Sequence, residues 1–350
     1  MRGSIKLLEI FGISVKIHVT FFLLLLLVLP GGIKWIFLTI AIFCLVIIHE
    51  LCHSLMAKHF GITVREITLL PIGGVSSMTK MPEKPSQEFL ISIVGPLSNI
   101  AIVIIFFYPM KYLLGGEVLL HPLSTATWPL TFAYVYWINL VLAGFNLLPA
   151  FPMDGGRVLR SLLATKLGYQ KATRIAVNFG NIFALAFAYF GIIHFNLILI
   201  VIAIFIYTAA SSEELQVDIR ETLKKYRVGD ILPRDFFTVK SDTTLASVLE
   251  LIFHSHQEDF PVVDDDALAG FITRQDVMSN IHQFGMNKIV REIMRKDFAR
   301  VKYTDSLVKA QNTMQDNQAR AMPVMKDGKV VGVITLEDIG RIYSMVSHKA

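Results

Sequence analysis

The sequence predicts a polytopic α-helical membrane protein of about six transmembrane helices, followed by a soluble α/β domain built from two repeats. Hydrophobic residues make up 53% of the 350 positions, whereas soluble proteins usually contain about 45–50%. The long apolar runs all lie within residues 1–210, and the rest of the chain has the charge density and alternation of a soluble domain. We therefore expect a membrane part at 1–210 and a soluble part after it.

Six apolar segments account for the membrane part. They lie at about 16–30, 33–60, 88–110, 126–148, 172–191 and 193–210. Two of them, 16–30 and 193–210, are shorter than the roughly 20 residues that a helix needs to cross a bilayer. Between the second and third segments, residues 61–87 contain prolines and the pair Gly73-Gly74, which predicts a turn-rich loop at the membrane surface.

The positions of lysine and arginine predict the orientation. These residues collect between the second and third segments and between the fourth and fifth. By the positive-inside rule, both termini and the soluble domain are expected in the cytosol, with the chain in the cell membrane and in contact with the lipid bilayer. Because topology accounts for the net charge of +5, no nucleic-acid partner is expected.

The second apolar segment contains the motif His49-Glu50-Leu51-Cys52-His53. Residues four apart in a helix project from nearly the same face, so His49 and His53 can bind one divalent ion. Glu50 points to the flank, where a carboxylate can take a proton from the attacking water of a zinc peptidase. An ionisable residue in a bilayer costs ~2.5–3.5 kcal/mol and usually marks function. We expect one Zn²⁺ per chain.

A catalytic zinc site normally has three protein ligands and one open position. Asp154 follows Pro152 and precedes Gly155-Gly156, at a break after the fourth segment and at the predicted depth of the histidines. It is the predicted third ligand, and its alternative role is to cap the next helix. Asn146, just before the break, either stabilises the oxyanion or bonds a neighbouring helix.

The two cysteines are not expected to form a disulfide or to bind the metal. Cys44 and Cys52 lie on one predicted helix, and the helical rise separates them by about 12 Å, which is too far for a bridge. The azimuth of Cys52 differs from that of both histidines, so a packing role is favoured over ligation.

The soluble part contains one pattern twice, about 60 residues apart, in which strands and helices alternate. We predict a linker at 211–227 and repeats at 228–284 and 290–347. Each repeat contains Gly, two hydrophobic residues and Thr-x-x-Asp at the start of a helix, at Thr273 to Asp276 and at Thr335 to Asp338. The same Thr-x-x-Asp spacing is typical of a helix capping box without a ligand.

Taken together, these motifs resemble the site-2 protease family of intramembrane zinc peptidases, in the prokaryotic branch with a C-terminal pair of CBS domains. The match covers roughly residues 1–207 of the membrane part. It rests on the histidine motif, on Pro71-Ile72-Gly73-Gly74, on Gly95-Pro96 and on Asn146 through Gly156. Cys52 departs from the family pattern, which usually has glycine at that position.

The resemblance implies the roles of the membrane residues. His49, His53 and Asp154 would bind zinc, Glu50 would act as general base, and Asn146 would lie near the substrate. The substrate would be a single-pass or membrane-anchored protein that is cut in or near its transmembrane segment. Gly73 and Gly74 would pair with the unwound substrate, although Gly-Gly is also a turn signal.

For the soluble pair, the resemblance implies binding of an adenosine nucleotide, ATP or AMP, and the order of the domains leads to the hypothesis that this nucleotide regulates the peptidase. The implied contacts are Thr273, Asp276, Thr335 and Asp338, and the pair is a candidate for homodimer formation. A metal transporter gated by CBS domains is the alternative function. Such a protein needs ligands along a path through the bilayer, whereas the candidates here cluster at one depth, which favours the peptidase.

Overall fold

The structure, a computed structural model, describes residues 3–71, 73–78, 82, 84–120, 124–233 and 235–347. It divides into two compact units, Met1–Val217 and Asp218–Ala350.

The first unit begins with a four-stranded sheet. Its strands are β1 (Ser4–Ile10), β2 (Ile13–His18), β3 (Val64–Leu70) and β4 (Gly73–Met78), in that spatial order. The β1–β2 and β3–β4 pairs are antiparallel, and β2 runs parallel to β3. Within the described part of the chain β4 pairs only with β3, so β4 is an edge strand.

The first predicted apolar segment, 16–30, begins in this sheet. In β2, buried Ile13 and Val15 alternate with polar residues, which is the two-residue period of a strand. The apolar helix α1 (Thr20–Val28) and a 3₁₀ turn (Leu29–Gly31) follow. At about 1.5 Å per residue, α1 is shorter than the roughly 30 Å hydrocarbon core.

Five helices are long and apolar enough to cross a membrane among the described residues. They are α2 (Ile33–His59), α3 (Pro85–Leu114), α5 (Trp128–Asn146), α7 (Tyr169–Ile193) and α8 (Leu197–Leu223). Two shorter helices, α4 (Gly116–Leu120) and α6 (Asp154–Leu167), lie between them. Together with the short apolar α1, these helices confirm the predicted polytopic fold class.

Helix α3 packs against α2, α5 and α6, so it lies at the centre of the first unit. Many large apolar side chains on the long helices are exposed, for example Ile104, Leu185 and Leu197. An apolar surface of this kind is unfavourable in water and suits the acyl chains of a bilayer.

The second unit contains the two predicted repeats of helices and strands. The first has α9 (Val228–Ile231), α10 (Leu245–His254), β5 (Phe260–Asp264), β6 (Ala267–Ile272) and α11 (Arg274–Phe284). The second has a 3₁₀ turn (Val290–Glu292), β7 (Val301–Lys302), α12 (Leu307–Asp316), β8 (Ala321–Lys326), β9 (Lys329–Thr335) and α13 (Leu336–Ser347). In each repeat an antiparallel pair, β5–β6 or β8–β9, packs on a core of its own.

Helix α8 belongs to both units. The division between them falls after Val217, and residues 211–223 of the predicted linker continue the helix. Leu223, the last residue of α8, is fully buried in one core of the second unit, together with Val228 and Leu307.

Candidate metal centre and soluble-domain clefts

Three predicted ligands meet at one point in the first unit. His49 and His53 project from α2 and are 4% and 5% exposed, and Asp154 is the first residue of α6. The three distances among His49 Nε2, His53 Nε2 and Asp154 Oδ2 are each 3.0 Å. These residues form a group that could hold a metal ion.

The outer nitrogens of both imidazoles face hydrogen-bond acceptors. His49 Nδ1 lies 3.3 Å from Asn99 Oδ1, and His53 Nδ1 lies 2.5 Å from the carbonyl oxygen of Ile91. A hydrogen bond to an acceptor requires the proton of the neutral imidazole to be on Nδ1. In this tautomer each Nε2 presents a lone pair to the centre of the group.

This donor set fits a zinc ion. Two imidazole lone pairs and a carboxylate oxygen that face one another repel unless a cation lies among them. Donors about 2.0–2.1 Å from a tetrahedral zinc are about 3.3 Å apart, close to the observed triangle. Two histidines and one carboxylate also match the ligand set of known catalytic zinc sites.

Gly95 of α3 makes room for the histidine rings. A Cβ atom at this position would collide with the His53 ring and lie 2.8 Å from His49 Nε2. The next residue, Pro96, and Asn99 are also buried on this face of α3. The close approach of α3 to α2 therefore depends on the absence of a side chain at Gly95.

The turn before α6 brings Asp154 to the histidines. A Cβ at Gly155 would collide with the carbonyl oxygens of Leu147 and Leu148, and one at Gly156 would lie 2.6 Å from Phe151 N. Neither glycine has a positive φ, so close packing, and not a left-handed backbone conformation, requires them. Met153 occupies the N-cap position of α6, so Asp154 does not have its alternative role there.

Glu50 lies between the histidines and β4. Its side chain is half-buried and lies near the Ser76 hydroxyl of β4. A Cβ atom at Gly74 would lie 2.7 Å from Glu50 Cγ. The edge strand that contains the predicted substrate residues Gly73 and Gly74 therefore packs directly on the predicted general base.

Asn146 is the last residue of α5 and is half-buried. Its side chain makes no hydrogen bond to any part of the chain that the structure describes, so the alternative in which it bonds a neighbouring helix has no support here. Eight residues separate it from Asp154 along the chain, across the turn that positions that carboxylate.

Two asparagines near the metal centre were not predicted. Asn99 is fully buried and faces His49, and Asn139 Nδ2 donates to the backbone oxygen of Asn99 at 3.0 Å. Asn99 Nδ2 and Asn139 Oδ1 are buried and have no partner among the described residues. Both asparagines stand within apolar segments, and a polar residue at that depth is the signal that identifies them.

In the second unit, each predicted threonine forms a capping box with its aspartate. Thr273 Oγ1 donates to Asp276 Oδ2 at 2.6 Å, and Thr335 Oγ1 donates to Asp338 Oδ2 at 2.7 Å. The structure therefore shows the capping geometry at both positions.

The two aspartates differ in their other contacts. Arg295 binds both oxygens of Asp276, at 2.8 and 2.9 Å. Although burial favours the neutral acid, the hydrogen bonds from Arg295 and Thr273 lower the pKa of Asp276 below its ordinary value. Aligning the repeats places Pro233 where Arg295 stands, and Pro233 has no charge to offer Asp338.

Two clefts accompany these aspartates. The cleft beside Thr273 has a volume of about 470 Å³, and Arg295 is among its lining residues. The cleft beside Thr335 and Asp338 has a volume of about 980 Å³, and Phe236, Phe237 and Arg320 are among its lining residues.

Comparison with known proteins identifies both parts of the chain. Residues 37–127 and 110–187 match the model of peptidase family M50, and residues 228–283 and 290–344 match the model of the CBS domain. The zinc metalloprotease MJ0392 of Methanocaldococcus jannaschii is 35% identical, and the alignment covers 100% of this chain and 98% of that protein.

Two further similarities cover part of the chain. Stage IV sporulation protein FB of Bacillus subtilis is 32% identical over 46% of this chain and 52% of its own length. The solved structure of the site-2 protease from Methanocaldococcus jannaschii is 40% identical, covers 60% of this chain and 95% of its own, and aligns with a TM-score of 0.47.

Proposed function

Because this chain belongs to peptidase family M50, the site-2 proteases, and is a zinc metalloendopeptidase with a CBS pair, we propose that it cuts membrane-anchored proteins within or near their transmembrane segments. The observation that carries the proposal is the triangle of donor atoms from His49, His53 and Asp154, with 3.0 Å sides, inside the unit that contains the long apolar helices.

We assign the metal to these three residues. A zinc ion bound by two imidazole nitrogens and one carboxylate oxygen would supply Lewis acidity, which activates water near neutral pH and polarises a peptide carbonyl. Asn99 and the Ile91 carbonyl hold the imidazoles in the tautomer that ligation requires.

Glu50 moves the protons of the reaction. Glu50 follows His49 on α2, so its side chain projects to the flank of the face that carries the histidines. The carboxylate therefore lies beside the metal and outside the triangle of ligands. The carboxylate takes a proton from the attacking water and delivers it to the leaving amine. The packing of Gly74 against the Glu50 side chain places the carboxylate against β4. We assign the half-buried Asn146 amide to the substrate carbonyl or the oxyanion.

The edge strand β4 accepts the unwound substrate. A peptide bond within a helix is shielded by the helix itself, so the substrate must unwind before water can attack. Unpaired backbone groups at a sheet edge pair readily with an extended chain. Because Gly74 packs on Glu50, a segment added beside β4 would lie near the catalytic groups.

Cleavage within a span tests this function. We expect the full chain, reconstituted in liposomes, to cut a single-span reporter at a site inside the span, as located by mass spectrometry of the products. A matched reporter with the span replaced by a soluble segment of equal length should stay intact, since the proposed substrate is a membrane-anchored protein. Cuts confined to the soluble parts of the reporter would refute the proposal.

We place both termini and the CBS pair in the cytosol. The basic residues between α5 and α7, which include Arg157, Arg160 and Lys166, favour the cytosolic face by the positive-inside rule. Asp154 begins the same stretch of chain, so the metal centre lies toward that face and the products leave there.

The CBS pair binds an adenosine nucleotide in the cleft of Thr335 and Asp338. Arg295 bonds both oxygens of Asp276 in the other cleft. Asp338 Oδ1 lies 4.0 Å from Arg341 Nη2 but accepts no hydrogen bond among the described residues, so we assign it to a ribose hydroxyl. The open cleft contains five carboxylates and two guanidiniums, an excess of negative charge that disfavours a triphosphate. We therefore assign AMP, and not ATP, to this site.

Calorimetric titration of the full chain tests this assignment. We expect AMP to bind at one site per chain and more tightly than ATP. Asp338→Ala should weaken AMP binding about 10- to 100-fold, the effect of losing a hydrogen bond to a charged group. Asp276→Ala is the matched control and should leave AMP affinity unchanged. Equal losses in the two variants, or tighter binding of ATP, would refute it.

A further inference from the structure

An ionic cluster with a buried centre lies beside the metal centre and takes no part in the proposed chemistry. It consists of Glu88 on α3, Arg157 and Arg160 on α6, Tyr169 on α7 and Glu213 on α8. Arg160 Nε donates to Glu88 Oε1 at 2.8 Å, and Arg160 Nη1 donates to Glu213 Oε2 at 3.2 Å. Arg157 Nη2 donates to Glu213 Oε1 at 2.6 Å, and the Tyr169 hydroxyl donates to Glu88.

Burial makes this cluster costly. The Arg160 side chain is 2% exposed and that of Glu88 is 3% exposed. Removing such charges from water costs several kcal/mol per ion, so a buried ion pair is weak evidence of a contribution to stability. The role of the cluster is therefore better explained by the geometry that it fixes than by a gain in stability.

Arg160 holds the turn that carries the metal ligand. Its guanidinium lies 4.7 Å from the ring centroid of Phe151, three residues before Asp154. Phe151 is fully buried, and its N–H donates to the carbonyl oxygen of Ala176 at 3.2 Å. Since Arg160 also belongs to the helix that Asp154 begins, it contacts the chain on both sides of this ligand.

Glu213 connects the cluster to the helix that enters the second unit. It bonds both arginines of α6, and ten residues later on the same helix Leu223 is buried in a core of the second unit. A rotation or axial shift of α8 would change the geometry of both arginine contacts, since a helix transmits such motion along its length.

We propose that Arg160 is a positioning residue for Asp154, and that the bonds of Glu213 to Arg157 and Arg160 transmit the state of the CBS pair to this metal ligand. The inference rests on the proposed function in one respect, the assignment of zinc to Asp154. It makes zinc affinity, and not only cleavage, depend on residues outside the active site.

Zinc affinity of the detergent-purified full chain, measured by competition with a chelator, tests the positioning role. Arg160→Lys keeps the charge but loses the planar fork and the stacking on Phe151, and we expect it to weaken zinc binding about 10- to 100-fold. The matched control is Glu214→Gln, on the same turn of α8 as Glu213. It removes the exposed ion pair with Arg174 of α7 and should leave zinc affinity unchanged.

A double-mutant cycle on α8 tests the transmission. Leu223→Ala, or the milder Val228→Ala in the same core, should change zinc affinity about fivefold or more, and this change should disappear in the Glu213→Gln background. Leu223 and Glu213 are about 15 Å apart along a helix, so independent effects would be additive. Additive effects in protein that binds zinc, or an unchanged zinc affinity in Arg160→Lys, would overturn this inference and leave the proposed function intact. A wild-type protein that binds no zinc would overturn both.

Discussion

Glu50→Gln is expected to reduce cleavage by at least ~10²–10⁴-fold, the usual contribution of a general acid–base group, while the chain still binds one zinc. Glutamine has nearly the same size and can keep the packing against Gly74, but it cannot accept the proton of the attacking water. The three metal donors belong to other residues, so zinc content should not change.

The same assay separates this role from a general effect of removing a carboxylate. Glu117→Gln, at an exposed position of α4, makes the same chemical change and should cleave the reporter at the wild-type rate. If Glu50→Gln retained cleavage, Glu50 would not be the base, and loss of zinc in this variant would assign Glu50 to the metal.

Gly95→Ala is expected to abolish both zinc binding and cleavage, although it adds a single methyl group. The added carbon would lie 2.8 Å from His49 Nε2 and closer still to the His53 ring, so the rings must move off the metal. We expect a loss of zinc affinity greater than the roughly 10- to 100-fold that follows loss of a ligand's hydrogen-bond partner.

Gly144→Ala on α5 is the matched control, because a Cβ there would meet nothing within 4 Å. This variant should keep zinc and activity and gain a little helix stability, since alanine is favoured over glycine in helices by about 1 kcal/mol. Wild-type zinc affinity in Gly95→Ala would mean that α3 does not hold the rings as described.

The geometry of the histidine pair was predictable because it is local. A four-residue separation on a helix brings His49 and His53 to one face whatever surrounds the helix. Asp154 is 101 residues from His53, and its candidacy depended on a break in an apolar segment. Helix propensity gives no information on contacts between residues that are so far apart in the sequence. Only the structure shows that Asp154 Oδ2 lies 3.0 Å from Nε2 of both histidines.

The parts that sequence reasoning missed depend on contacts between distant segments. The predicted first segment, 16–30, included the last three residues of β2, because they run directly into an apolar stretch. Only the parallel pairing with β3 shows that these residues belong to a sheet. The carboxyl partners of Arg160 lie 72 and 53 residues away. From the sequence alone, Arg160 is predicted to be a basic loop residue that favours the cytosolic face. Its burial depends on the packing of segments that are distant in the sequence.

X-ray absorption at the zinc edge of the purified full chain tests the central claim most directly, because it reports both the metal and its ligands. The account predicts one zinc per chain, with two imidazole nitrogens and oxygen donors at about 2.0–2.2 Å. A sulfur at about 2.3 Å would make Cys52 a ligand in place of a predicted residue. That result, or the absence of zinc from active protein, would contradict the account.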